Sequence, residues 1–257
     1  SGVPAIKAKC NALEKMNIEN LDFDLLKSPN NILGIEYTKA VLQSKGNIDI
    51  FPIIRQGAAY NDVTLYEENS SASAIRQAIT EGKLKKIKSC VPSFVYDDLP
   101  DSLPDADDLI FYAAIKASRD ELGRVLDCTE GLENRIKALT RDCGSLECLI
   151  NKIKTKRYTR TRLQRILLAN MLGINERFIR RCLSSELYLK VLAANKNRPE
   201  VLSAIKGENY IPLITRKADF AKLSGVAEEC FLKDVTALEI FDFVAKTKTN
   251  EFEMKSV

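Results

Sequence analysis

The chain of 257 residues contains no histidine and no tryptophan, and only three methionines. Without histidine, neither a Ser-His or Cys-His catalytic pair nor a histidine-bearing metal site can form within it. The cysteines, Cys10, Cys90, Cys128, Cys143, Cys148, Cys182 and Cys230, are odd in number and irregularly spaced. They spell neither a disulfide framework nor a CxxC zinc pattern, which fits a reducing cytoplasm and no protein metal site. Cys143 continues the apolar stripe of Leu132, Ile136 and Leu139, so these thiols read as core filler. No secretory signal is spelled. No apolar run approaches the roughly 18 residues of a membrane span, and the longest, Leu109–Ile115, suits a buried helix.

What the chain has in excess is positive charge in one place. Between Asn151 and Arg165, the sequence NKIKTKRYTRTRLQR carries seven Lys or Arg side chains and no acid. Removing these seven from the net charge of +4 leaves −3 for the rest, so the positive field is local. A local basic stripe attracts polyanions, whereas scattered charge serves solubility. Lys154, Lys156, Arg157, Arg160, Arg162 and Arg165 are the candidate phosphate contacts, and Tyr158 offers a ring to stack on a base. Ser145 is placed to cap a helix whose Leu146, Leu149, Ile150 and Ile153 share one face. Thr161 with Gln164 spells a capping box for a second helix through Leu163, Ile166, Leu167 and Met171, stopping at Gly173. That helix starts inside the basic run, so its positive dipole end adds to the attraction for phosphate. A weaker cluster, Arg177, Arg180 and Arg181, follows on the next helix. A solvated helix junction is the structural alternative for the whole run.

The pattern predicts a mainly α protein with a small α/β portion. Ser28-Pro29 opens a helix through Ile32, Ile35, Tyr37, Val41 and Leu42 that ends at Gly46, and Ile48–Ile54 reads as a buried strand. Beyond Pro92, helices are expected at about 107–117, 119–126, 130–143 and 227–246, with short strands at 187–192 and 210–215. Pro92, Pro100 and Pro104 put the domain boundary within 90–106, giving 1–90 as an α/β part and 91–257 as a helical part. A second candidate phosphate site lies in the first part. Ser70-Ser71-Ala72-Ser73 leads into a helix with Arg76 in its first turn, offering hydroxyls, free amides and a guanidinium to one anion. The same spelling also serves as an ordinary helix cap.

Three stretches, SPNNILGIEYTKAVL from Ser28, SASAIRQAI from Ser71 and EGLENRIKALTRDCGSLECLINKIKTKRYTRTRLQRI from Glu130, resemble the bacterial tRNA(Met) cytidine acetate ligase family of the nucleotidyltransferase superfamily. The resemblance implies the last part of a Rossmann-like nucleotidyltransferase domain followed by a helical tRNA-binding domain. It implies an enzyme that activates acetate with ATP, accompanied by Mg²⁺, to acetyl-adenylate and then acetylates the wobble cytidine of elongator tRNA(Met). On this likeness Asn30, Arg55, Ser71, Ser73 and Arg76 contact ATP and the 154–165 stripe faces tRNA. The family's Asn-Pro-Phe-His-x-Gly-His loop has no counterpart here, so no catalytic residue is assigned within the chain and it is expected not to make acetyl-adenylate unaided. Two other readings stand beside this one: a stand-alone helical RNA-binding module without catalysis, and a different nucleotidyltransferase sharing the serine-rich turn.

Overall fold

The computed structural model describes residues 5–16, 22–26, 28–44, 48–54, 56–57, 62–67, 69–208, 211–249 and 255–256. Arg55, Gly46 and Tyr210, to which the sequence assigns an ATP contact, a helix stop and a strand start, lie outside the described residues. The chain divides into two compact units, Ser1–Leu103 and Pro104–Val257.

The first unit contains α1 (Ala5–Lys15), a 3₁₀ turn (Phe23–Leu26), α2 (Pro29–Ser44), α3 (Ala72–Thr80), α4 (Leu84–Ile87) and α5 (Ser93–Asp97). Pro29 opens α2 because its missing N–H falls where a helix has no acceptor to offer, and the first bond runs from Ile32 N to Ser28 O at 3.0 Å. Ala78 and Ile79 of α3 close on Ile87 of α4, with Leu65, Ile75 and Leu84 packed around them. The expected buried strand at Ile48–Ile54 is a correction. It makes no ladder among the described residues, and Phe51, Ile53 and Ile54 are 85–89% exposed. A run of β-branched and aromatic residues states a preference, but a strand exists only through bonds to a neighbour, which local sequence does not supply. Among the described residues of 1–90, helices α1 to α4 are formed and no strand is paired.

The second unit is a helical cluster, α6 (Asp107–Lys116), α7 (Arg119–Gly123), α8 (Leu132–Thr140), α9 (Leu146–Ile153) and α10 (Arg160–Met171), continued by α11 (Glu176–Leu183). Leu122, Leu132, Ile136, Leu149, Ile153, Leu163 and Leu167 are fully buried in its core. Helix limits follow from local chemistry. Glu130 and Gly131 are left-handed (φ +65° and +80°), so α8 starts at Leu132 and not at the expected Glu130. Ser145 caps α9 by accepting from Cys148 N at 3.2 Å, as its position predicts. α10 ends at Gly173 (φ +63°), where Ile174 N reaches Ala169 O at 2.8 Å and Gly173 N reaches Asn170 O at 3.1 Å, the two bonds of a Schellman ending.

The rest of this unit holds β1 (Leu189–Lys190), β2 (Ala193–Ala194), α12 (Pro199–Glu208), β3 (Leu213–Ile214), α13 (Lys217–Phe220), α14 (Gly225–Ala245) and β4 (Lys255–Ser256). β1 pairs parallel with β3, Leu189 opposite Leu213, and β2 pairs parallel with β4, Ala193 opposite Lys255. Ile214, Leu223, Ala227 and Phe231 form a second core, with the Tyr188 ring edge-on to Phe231 at 5.3 Å. Among the described residues no helix is long and apolar enough to cross a membrane.

Candidate nucleic-acid interface

The basic run sits on the joint between α9 and α10. α9 buries Leu146, Leu149, Ile150 and Ile153, which leaves Lys152 and Lys154 on the exposed side. Residues 154–159 then turn the chain, with Thr155 Oγ1 accepting from Arg157 N and Tyr158 N at 3.2 and 3.1 Å. Thr159, not the expected Thr161, caps α10 by accepting from Arg162 N at 3.4 Å. The helix therefore begins two residues early, and Arg160 is its first residue.

The seven cations are not equivalent. Arg157 is gripped by Glu130 through Nε and Nη2 at 2.6 and 2.5 Å. Arg160 makes a two-pronged pair with Glu147, one prong at 2.9 Å. Each pair holds its glutamate below the usual carboxylate range, the arginine hydrogen bond being the largest cause, and raises its arginine further. Arg162 donates to Asp127 O through Nε and Nη2 at 3.1 and 2.6 Å and to Thr129 Oγ1 at 3.1 Å. It thereby caps the carbonyl of the left-handed Asp127 (φ +67°). Lys152 donates to Asp142 O at 2.8 Å, and Arg165 approaches Asp127 Oδ2 at 3.7 Å. Lys154 and Lys156 are exposed and form no ion pair among the described residues, although the charge of Lys154 helps to lower the Glu147 carboxyl.

Tyr158 occupies another place than the one its sequence position suggested. It is 9% exposed and belongs to the core, with Oη donating to Glu130 O at 3.3 Å. Its ring is a platform for the guanidiniums of Arg162 and Arg157, 5.5 and 6.0 Å from the centroid, and is not offered to a base. The weaker cluster on α11 is also partly neutralised: Arg180 pairs with Glu176 and Arg181 with Glu229 at 2.7 Å, while Arg177 has no acid among the described residues. Sequence reading missed Glu130, Glu147 and Asp127 as partners. They lie 13 to 38 positions away, and only the packing of α9 and of the 127–131 turn against α10 brings them in.

At the serine-rich turn, Ser71 caps α3 by accepting from Ala74 N at 3.0 Å and donates its own proton to Asp62 O. Ser70 is likewise spent, accepting from Tyr66 N and donating to Tyr66 O, both at 2.7 Å. Asp62 braces the turn, its carboxylate accepting from Thr64 N at 2.8 Å and Tyr66 Oη at 2.9 Å. The groups left for an anion are the Ala72 and Ser73 amides, the half-buried Ser73 hydroxyl and the exposed Arg76, which has no acidic partner among the described residues. Asn30 lines a groove of about 1070 Å³ between α2 and 50–54, with Asn31, Ile35, Thr38 and Phe51. Neither this groove nor the cavity of about 620 Å³ beside α3 contains both Asn30 and the α3 turn. Among the described residues no three His, Cys, Asp or Glu side chains gather as a metal site.

The model of the HIGH Nucleotidyl Transferase family matches residues 2–256. The chain belongs to this family. Similar HIGH nucleotidyl transferases include the tRNA(Met) cytidine acetate ligases of Thermoanaerobacter sp. (strain X514), 31% identical over 97% of this chain and 63% of that protein, and of Clostridium perfringens, 34% identical over 95% of this chain and 62% of that protein. The chain thus spans rather less than two thirds of the length of these relatives. Among solved structures, Thermotoga maritima TmcAL bound with alpha-thio ATP superposes with a TM-score of 0.81 at 21% identity, covering 97% of this chain and 64% of that one. The apo form of TmcAL gives 0.82 at 21% identity over 93% of this chain and 63% of that one, so the fold is shared.

Proposed function

We propose that this HIGH nucleotidyl transferase chain works as part of an ATP-dependent ligase that acetylates the wobble cytidine of elongator tRNA(Met). The observation that carries the reading is similarity to tRNA(Met) cytidine acetate ligases along at least 95% of the chain. In the reaction, an acetate oxygen attacks the α-phosphorus of ATP and pyrophosphate leaves. The cytidine amine then attacks the acetyl carbonyl of acetyl-adenylate, AMP leaves, and the amine gives up a proton. Residues 1–90 contribute one wall of the nucleotide site. Arg76, Ser73 and the first amides of α3 take phosphate oxygens, Ser71 shapes the turn, and Asn30 and Arg55 complete the contacts. Mg²⁺ arrives on the nucleotide's own phosphates. Residues 91–257 carry the tRNA surface, with Lys154 and Lys156 as the primary phosphate contacts and Arg157, Arg160, Arg162 and Arg165 as a braced rim around them.

Catalysis of the first step needs positioned charge against the departing pyrophosphate, and a chain with no histidine lacks the family's loop for it. The chain by itself is therefore expected to bind tRNA and to show no acetate-dependent exchange of pyrophosphate into ATP. Filter binding with elongator tRNA(Met) and an isotope-exchange assay on the same preparation test this. No RNA binding at low salt would overturn the surface assignment. Acetate-dependent exchange by this chain alone would overturn the need for the histidine loop.

A further inference from the structure

Two sulphurs in the second unit meet in a way that neither the fold nor the proposed reaction requires. Cys143, just past the end of α8, and Cys148, in the first turn of α9, bring their Sγ atoms to 3.0 Å. Both thiols are free and partly exposed. Cys128 differs, because it is buried in the core and its thiol is pushed up to about 11, first by burial and then by Glu133. The approach of Cys143 and Cys148 is built by bonds that involve no sulphur. Cys143 N reaches Thr140 O at 3.4 Å, Ser145 Oγ accepts from Cys148 N at 3.2 Å, and Lys152 of α9 donates to Asp142 O at 2.8 Å. The turn from 141 to 148 is thus held at both ends, and the two side chains are presented to each other before any reaction.

We propose that Cys143 and Cys148 are a reactive dithiol that closes to a disulfide by exchange with low-molecular-weight disulfides of the oxidised-glutathione class. The Cys148 thiolate attacks one sulphur of the small disulfide and expels a small thiolate, leaving a mixed disulfide. Cys143 then attacks Cys148 Sγ as it loses its proton, forms the protein S–S bond and expels the second small thiolate. Two protein thiols give up two electrons and two protons, and one small disulfide takes them up as two thiols. The attack is intramolecular between atoms already in contact, so it outruns release of the mixed disulfide. The bond would staple the elbow from which Glu147, next to Cys148, reaches Arg160.

Treating the folded chain with excess oxidised glutathione, followed by peptide mapping without reduction, tests the proposal. The expected product is a cross-linked peptide joining Cys143 to Cys148, lighter by two hydrogens and carrying no glutathione. In Cys143→Ser the resolving thiol is gone, and glutathione on Cys148 is expected to accumulate about tenfold or more above the unaltered chain. The proposal is overturned if the unaltered chain keeps glutathione on either cysteine without the cross-link, if Cys148 joins a different cysteine, or if both thiols stay reduced while Cys10 and Cys90 react. The map of the unaltered chain decides among these outcomes even if Cys143→Ser does not fold.

Discussion

The sorting of the basic run into braced and free cations makes a quantitative prediction for RNA binding. Each phosphate neutralised by a cation releases condensed counterions, so log K falls with log salt by about 0.7 to 0.9 per contact. Lys154 and Lys156 make no ion pair among the described residues, Lys154 acting on Glu147 only as the least of several causes, whereas Arg157 and Arg160 are bonded directly to Glu130 and Glu147. Replacing both lysines with alanine should therefore reduce the slope by about 1.4 to 1.8, which weakens binding by about 25- to 60-fold at about 0.1 M salt and hardly at all near 1 M. The Arg157→Ala/Arg160→Ala pair should change the slope less, because those guanidiniums neutralise carboxylates before phosphates, and should lower the melting temperature by freeing α9 from α10. Filter binding of tRNA across a salt series, with thermal melting of each variant, reads both quantities. The reasoning is refuted if the lysine variant keeps its slope, or if the arginine variant flattens the slope as much as the lysine variant does.

Two stability predictions follow from the cores. Asp219 is 4% exposed and accepts from Lys222 Nζ at 2.7 Å, Thr215 Oγ1 at 2.8 Å and Thr215 N at 3.1 Å. The Lys222 bond chiefly, and those from Thr215, hold its carboxyl well below the usual range against the opposing effect of burial. A depressed folded value stabilises fully above the unfolded value of about 4 and is lost as the pH falls below it. Asp219→Asn should thus cost about 1–3 kcal/mol at neutral pH and melt with a weaker acid dependence than the unaltered chain, and equal acid slopes in a melting series would refute the assignment. Leu149 is fully buried between α9 and the rest of the helical core, so Leu149→Ala should lose about 2–5 kcal/mol in urea unfolding, and a loss under about 1 kcal/mol would show that the site collapses around the gap.

Most of the second unit was legible in the sequence. Apolar residues at helical spacing placed α9 and α10, Ser145 and Gly173 marked a start and a stop, and short runs near 187–192 and 210–215 yielded the β1–β3 pair. These features are local, so a window of a few residues contains their cause. Where local signals competed, boundaries moved: Thr159 took the cap from Thr161, and two left-handed residues delayed α8. The strand expected at Ile48–Ile54 failed for a different reason, since its residues carry a preference but a ladder needs a partner that the segment does not contain.

The sequence by itself determined where positive charge is concentrated, because composition is fixed by counting. It also determined that histidine chemistry is impossible within the chain. Which of those charges are available to a ligand was decided only by tertiary structure. Glu130, Glu147 and the carbonyl of Asp127 reach the basic run from other elements, and Tyr158 turns inward beneath the arginines. Coulomb and hydrogen-bond energies depend on distances in space, and a run without acids along the chain can still be surrounded by them once helices pack. The same holds for Cys143 and Cys148. Their spacing is unremarkable as text, and the capping of α9 by Ser145 brings the two sulphurs into contact.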